Sequence, residues 1–178
     1  TLYKIKKDKI KHFSEYDALT EVFNRRVAFE RLNKLYKELM KVQGKLSVCF
    51  IDINGLKEVN DYLGHDSGNE LILSIVECIK KNTRDTDLIA RLGGDEFLII
   101  FNNMSAEDAE KVWTRISAEF DRINEEQNRK YVISASHGIE EFNIDTNKSI
   151  DVVVNQADEK MYREKRRIKK DETKIIRD

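Results

Sequence analysis

Proline is absent from the 178 residues, so no helix is forced to kink or stop at a ring that lacks an amide hydrogen, and long unbroken helices are favoured. Cysteine is scarce. Cys49 and Cys78 make no CxxC and no framework spacing; they read as buried thiols of a reducing compartment rather than as a disulfide. Three histidines, His12, His65 and His137, are too scattered for a zinc site. No apolar run reaches the length of a membrane span, and the amino end has no signal-peptide pattern. An excess of either charge is also missing: 32 basic residues against 33 acidic leave a formal charge of -1. That balance argues against nucleic acid as a partner, because duplex binding draws its affinity from surplus Lys and Arg.

What remains suffices for one folded domain. The chain is 40% hydrophobic and 37% charged, apolar enough to exclude wholesale disorder. It opens on Thr1, from which a domain excised from a longer protein is expected. Residues 1–14 hold a lysine-rich stretch in which Tyr3, Ile10 and Phe13 follow a heptad-like seam interrupted by Lys6. This reads as a linker or signalling helix from an upstream module, with a frayed tail as the alternative. The division expected is 1–14 linker, 15–170 domain and 171–178 polar tail.

Within the domain, Asn24 is a good N-cap for a helix whose inner face is Ala28, Leu32, Leu35, Tyr36 and Leu39, and Gly44 is expected to stop it. Leu46–Ile53 is a nearly continuous apolar run and predicts a central strand buried on both faces. A helix follows His65, with Leu71, Ile72, Ile75, Val76 and Ile79 on one side. Residues 88–92 and 97–101 are two strands around Gly93-Gly94-Asp95-Glu96, a hairpin signal. Ser105 and Asp108 cap a helix with Ala109, Val112, Ile116, Phe120 and Ile123 inward. Residues 131–139 predict a further strand, and about 150–170 a last helix burying Val154, Ala157 and Met161. Helices interleaved with strands in this order predict an α+β domain around a mostly antiparallel sheet flanked by helices.

Five of the seven glycines lie between positions 55 and 94, so unusual backbone concentrates in one region. Asp52 stands near the end of the buried strand, where an unpaired carboxylate is costly. If the hairpin lies beside that strand, Asp52, Asp95 and Glu96 converge, and each raises the pKa of the others unless a cation neutralises them. Hard oxygen ligands without an imidazole pair point to Mg2+ or Mn2+, which usually arrives with a phosphorylated substrate. The alternative for the tetrapeptide alone is a tight solvated turn. There is no Walker A loop and no GxGxxG, so phosphates would meet side chains such as Lys57, Lys165 and Lys169. Most of the basic run from Arg163 to Lys170 reads as a solvated helix face.

These residues carry a resemblance. Arg91-Leu92-Gly93-Gly94-Asp95-Glu96-Phe97 resembles the signature of GGDEF domains, the diguanylate cyclases. Asp17-Ala18-Leu19-Thr20 with Asn24-Arg25-Arg26 resembles the family's opening segment. Asp52-Ile53-Asn54-Gly55-Leu56-Lys57 with Asn60-Asp61 resembles its metal and substrate segment, and Gly64-His65-Asp66-Ser67-Gly68-Asn69 a following turn. Ala157-Asp158, Met161-Tyr162 and Lys165 resemble the closing helix. The landmarks run in order from Asp17 to Lys169.

The resemblance implies a polymerase-palm or nucleotidyl-cyclase-like fold with a ferredoxin-like core. It implies condensation of two GTP molecules to cyclic di-GMP with release of pyrophosphate. Two Mg2+ or Mn2+ ions per active site are implied, on Asp52, the Ile53 carbonyl, Asp95 and Glu96, with Asp95 also favouring loss of the hydroxyl proton. Lys57, Lys165 and Lys169 would neutralise phosphate charge, Gly93 and Gly94 would let backbone approach the nucleotide, and Asn60 would bond the guanine edge with His65 nearby. For His65 alone, a structural role at the helix start is the better reading. Arg84-Asp85-Thr86-Asp87 stands where the family has an inhibitory product site, with Arg84 and Asp87 as its carriers; a helix-ending turn is the alternative. One domain holds one GTP, so a transient antiparallel homodimer is implied, governed by an upstream sensory module. A cytoplasmic domain is expected, with membrane anchoring through that module left open.

The sequence also departs from the pattern. Asn69 stands where aspartate usually reads guanine, giving up a charge and an acceptor oxygen. Asn54 replaces a frequent second aspartate, Ile168 a usual glycine and Lys169 a usual arginine, which loses bidentate phosphate geometry. A cyclase of relaxed base choice and a silent receptor for cyclic di-GMP or GTP are the competing expectations.

Overall fold

The computed structural model describes residues 15–143, 145, 148–170 and 174–177. The expected helix over 1–14 therefore lies outside the described residues, as do 171–173 and 178 of the expected tail. The elements in chain order are β1 (Phe23–Asn24), α1 (Arg25–Val42), β2 (Leu46–Ile53), α2 (Leu56–Leu63), α3 (His65–Asn82), β3 (Leu88–Arg91), β4 (Glu96–Asn102), α4 (Ala106–Glu126), β5 (Ala135–Glu141) and α5 (Ile150–Lys170). The strands form one sheet in the order β1-β3-β4-β2-β5. β1 pairs with β3 in parallel, and the β3–β4, β4–β2 and β2–β5 pairs are antiparallel.

Strand β2 lies at the centre and every one of its residues is buried, which is why its sequence is apolar without alternation. Side chains still alternate between faces. Cys49, Ile51 and Ile53 pack with α2, α3 and α4, through Val59, Leu71, Ile75, Ile79, Val112 and Ile116 among others. Leu46, Val48 and Phe50 pack on the opposite face with Ala28, Leu32 and Leu39 of α1 and Val153, Val154, Ala157 and Met161 of α5. The same period assigns Asp52 to the α1/α5 face. Both cysteines are buried and free.

Several expected boundaries hold and others move. Asn24 caps α1, its side chain accepting from the Val27 amide at 3.1 Å, and Ser105 caps α4 by accepting from the Asp108 amide at 3.2 Å. Helix α1 ends at Gln43, not Gly44: Gln43 takes the left-handed conformation at φ 51°. Helix α2 was not expected from periodicity; it is eight residues long and enters at Gly55 without a side-chain cap. Strand β5 begins at Ala135, later than predicted. The preceding residues instead run beside the carboxyl end: Tyr131 bridges to Ile176, and the Val132 amide donates to the Ile175 carbonyl at 2.8 Å. Residues 174–177 of the expected polar tail thus lie against the domain.

Candidate active site

Strands β2 and β4 pair so that Asp52 stands directly opposite Glu96, both on the α1/α5 face. The β3–β4 turn immediately precedes Glu96, and the Ile53 amide donates to the Asp95 carbonyl at 2.9 Å, tying the end of β2 to the turn. The three carboxylates expected to converge therefore do so. A fourth, Asp158 on α5, contributes repulsion at both Asp52 and Glu96. Burial raises the pKa of Asp52; the hydrogen bond from Lys165 opposes this, while Asp95 and Asp158 push the same way as burial, and the net is upward. Glu96 is raised by burial, then by the charges of Asp95, Asp52 and Asp158, against a small opposing effect of Arg25. These shifts describe a site that wants positive charge.

Lys165 supplies some of it. Its ammonium donates to Asp52 Oδ1. Lys169 stands one turn further on, exposed, and Lys57 lies exposed in the first turn of α2. Among the described residues no three His, Cys, Asp or Glu side chains are already arranged around a common ion position. The donor set nevertheless fits a hard divalent cation. It is all oxygen, two of its carboxylates face each other across the strand pair, and one already accepts a cationic side chain.

Two neighbours of β2 keep its end in register. The Asn54 amide donates to the Ser134 carbonyl at 2.9 Å. Its side chain donates to Ser134 Oγ and accepts from Ser136 Oγ, both at 2.9 Å. Asn54 is thus spent on the β5 side of the strand. On the other flank Arg91 braces the glycine turn, donating to the Gly93 carbonyl at 3.1 Å and the Gly94 carbonyl at 2.8 Å. Its third bond, 3.1 Å, goes to Asp17 Oδ1, which also accepts from the Thr20 amide and hydroxyl. Arg91 and Asp17 sit inside recognisable motifs, but their joint bracing role has no signal in the chain, since 74 positions separate them.

Asn60, in α2, lies against Gly68, where an added Cβ would come within 1.9 Å of Asn60 Oδ1. That contact brings Asn60 beside the first turns of α3, where His65 and Asn69 are exposed. Arg84 and Asp87 form a closed turn of their own. Asp87, with its side chain fully buried, accepts from the Arg84 amide at 2.9 Å and from Nε and Nη2 at 3.2 and 2.9 Å. Arg84 Nη2 also donates to the Asn102 carbonyl at 2.9 Å, and the Arg84 side chain stays half exposed. Asp87 is therefore structural in this arrangement, as a helix-ending turn would have it.

The sequence profile described as "Diguanylate cyclase, GGDEF domain" matches residues 14–171. The chain belongs to the GGDEF domain family. It is 33% identical over 154 residues to diguanylate cyclase DgcP of Escherichia coli (strain K12), covering 84% of this chain and 44% of that protein. Among solved structures, diguanylate cyclase SiaD of Pseudomonas aeruginosa, in complex with its activator SiaC, superposes with a TM-score of 0.78 at 28% identity, over 93% of this chain and 64% of that one. The coiled coil and GGDEF domain of DgcB from Caulobacter crescentus, in complex with c-di-GMP, gives 0.84 at 23% identity, over 92% and 87%; this likeness speaks to fold alone. The architecture is the α+β, palm-like fold of nucleotidyl cyclases. The chain spans 26%, 22% and 44% of the length of three curated relatives that it matches.

Proposed function

We propose that this domain is a diguanylate cyclase, joining two GTP molecules into cyclic di-GMP with release of two pyrophosphates. The observation that carries the reading is the convergence of Asp52, Asp95 and Glu96 at one end of the β2–β4 pair, with Lys165 on Asp52. Asp52, the Ile53 carbonyl, Asp95 and Glu96 are the groups that would hold two Mg2+ or Mn2+ ions. Bound there, such ions would lower the pKa of an attacking 3′-hydroxyl and would stabilise charge on the α-phosphate. Asp95 helps draw the proton from that hydroxyl. Lys57, Lys165 and Lys169 take the triphosphate charge, and Asn60, His65 and Asn69 face the base. The glycines support this reading from another direction. Among the described residues, a Cβ at Gly94 would meet no atom within 4 Å, and its φ is not positive. That open direction leaves room for a ligand to approach the backbone at Gly94, as a nucleotide would.

Each bond to be formed joins the hydroxyl of one GTP to the phosphate of another. The productive state is therefore a transient antiparallel homodimer, its formation governed by an upstream sensory module. Product held at Arg84 and Asp87 would tie domains apart and limit synthesis. Because Asp87 is occupied internally, Arg84 carries the greater part of that contact. Incubation with GTP, with ATP and with both, in the presence of Mg2+, followed by mass analysis, tests the reading. Cyclic di-GMP from GTP is the expected result. Adenine-containing products would mean relaxed base choice through Asn69, and no product with nucleotide still bound would mean a silent receptor.

A further inference from the structure

The proposed chemistry leaves one buried titratable cluster unused, at the β5 edge of the sheet. His137 points to the face opposite Gly138 and stacks its ring on Trp113 of α4, centroids 4.4 Å apart and planes 18° apart. Its side chain is 14% exposed. Nδ1 lies 2.9 Å from Glu164 Oε2 of α5 and Nε2 lies 2.9 Å from Glu110 Oε2 of α4. The His137 backbone amide donates to the same Glu164 carboxylate. Both ring nitrogens therefore face carboxylate oxygens, which only accept. A neutral imidazole has one donor and one acceptor, so it can satisfy one of them; the imidazolium satisfies both.

Among the groups around the ring, Glu110 and Glu164 are the ones that favour its charge. From β2, the Cys49 thiol stays protonated, pushed well above its ordinary value by burial and then by Glu110 and Glu164. From α5, Lys160, Arg163 and Arg167 line a cavity of about 370 Å³ together with His137, Glu110 and Glu164. Lys160 is engaged with Glu140 and the Ile139 carbonyl. Burial lowers the pKa of His137, but the bonds to Glu164 and Glu110 outweigh it and the net is upward. Burial likewise raises Glu164, and the bonds from His137 more than reverse it.

Glu164 is followed by Lys165, which holds Asp52. One turn of α5 thus grips the sheet at two places. We propose that protonated His137 is a positioning residue: it clamps α4 and α5 across the β5 edge through Glu110 and Glu164, and its deprotonation loosens the turn of α5 that carries Lys165. Any consequence for turnover rests on the cyclase reading; the clamp itself does not. A histidine raised in the folded state contributes its full stabilisation below the ordinary value of about 6.5. That contribution is lost as pH rises through the folded value.

The test is a histidine-ring NMR titration of the whole domain, with amide hydrogen exchange of residues 163–169 followed over the same pH range. Glu110→Gln and His137→Gln are the variants. His137 should titrate above the ordinary imidazole value of about 6.5, and Glu110→Gln should bring it down. Protection of 163–169, corrected for the intrinsic pH dependence of exchange, should fall on the order of tenfold through that titration, the weight of a charge-assisted hydrogen bond. In His137→Gln it should sit at the lower level throughout. Should that variant not fold, the titration of the wild type and Glu110→Gln still decides. A His137 that titrates at or below the ordinary imidazole value of about 6.5, or equal protection in wild type and His137→Gln at every pH, overturns the clamp. No readout involves nucleotide, so a domain inert toward GTP could still show the clamp, and an active one could lack it.

Discussion

Two carboxylates facing each other on the same side of a sheet repel, and at Asp52 and Glu96 the chain has done little to separate them. One ammonium, Lys165, is brought against Asp52. That arrangement was legible in part. The period of a strand assigns Asp52 to one face, and the Gly-Gly turn puts Asp95 and Glu96 at a hairpin; that the hairpin lies beside β2 was a condition, which the β2–β4 pairing meets. The fourth carboxylate, Asp158, was not legible as a site residue, because the rotation of α5 about its own axis decides what it faces and the helix pattern fixes only which side is apolar. At Asn69 the expected outcome is specific: Asn69→Asp should favour GTP over ATP by about 1 kcal/mol, the margin of a charge-assisted hydrogen bond over a neutral one. Competition binding would check it, and unchanged selectivity would mean that Asn69 does not meet the base. At Arg84, alanine should raise the cyclic di-GMP level at which synthesis stalls while leaving the initial rate nearly unchanged. Equal product inhibition in both proteins would remove Arg84 from regulation, leaving it the structural bonds to Asp87 and the Asn102 carbonyl.

At the scale of elements, α5 is the piece on which the site depends, and a single glycine lets it sit there. A Cβ at Gly138 of β5 would lie 2.0 Å from the Ala157 carbonyl oxygen and 2.4 Å from the Met161 amide nitrogen. Both are backbone atoms and neither can yield without moving the helix. Gly138→Ala should therefore cost about 1–3 kcal/mol in urea unfolding, the range for overpacking a tight interface, and should disturb Lys165 with it. A variant as stable as wild type would mean that α5 is held less closely than described. Nothing around Gly138 in the sequence announces this contact, since glycine within a strand reads only as a weak position or a bulge. Long helices were easier to read: α3 buries Leu71, Ile72, Ile75, Val76 and Ile79 as its pattern requires. Helix α2 escaped because eight residues give two turns, too few for a period to stand out, and because its flanking glycines, both at positive φ, look like loop. The stop of α1 fell on Gln43 because a left-handed residue is needed one position before the glycine, and glutamine takes it at φ 51°.

For the whole molecule, the proposed condensation needs two nucleotide sites, and a domain of near-zero net charge would then meet its copy without staying bound. Specific activity should then rise with protein concentration in dilute solution and level off when two domains are tethered, which raises their effective concentration. Activity independent of concentration and of tethering would argue against a transient pair. Among the described residues no helix is long and apolar enough to cross a membrane. The central claim, that the carboxylates at the end of β2 and β4 perform the condensation of GTP, is tested most directly by the rate of cyclic di-GMP formation in Asp95→Ala beside wild type. Circular dichroism and thermal unfolding should first establish that the variant is folded. The account predicts a fall on the order of a hundredfold or more, as when a principal electrostatic group is removed from an active site. Near-normal turnover in the folded variant would contradict it.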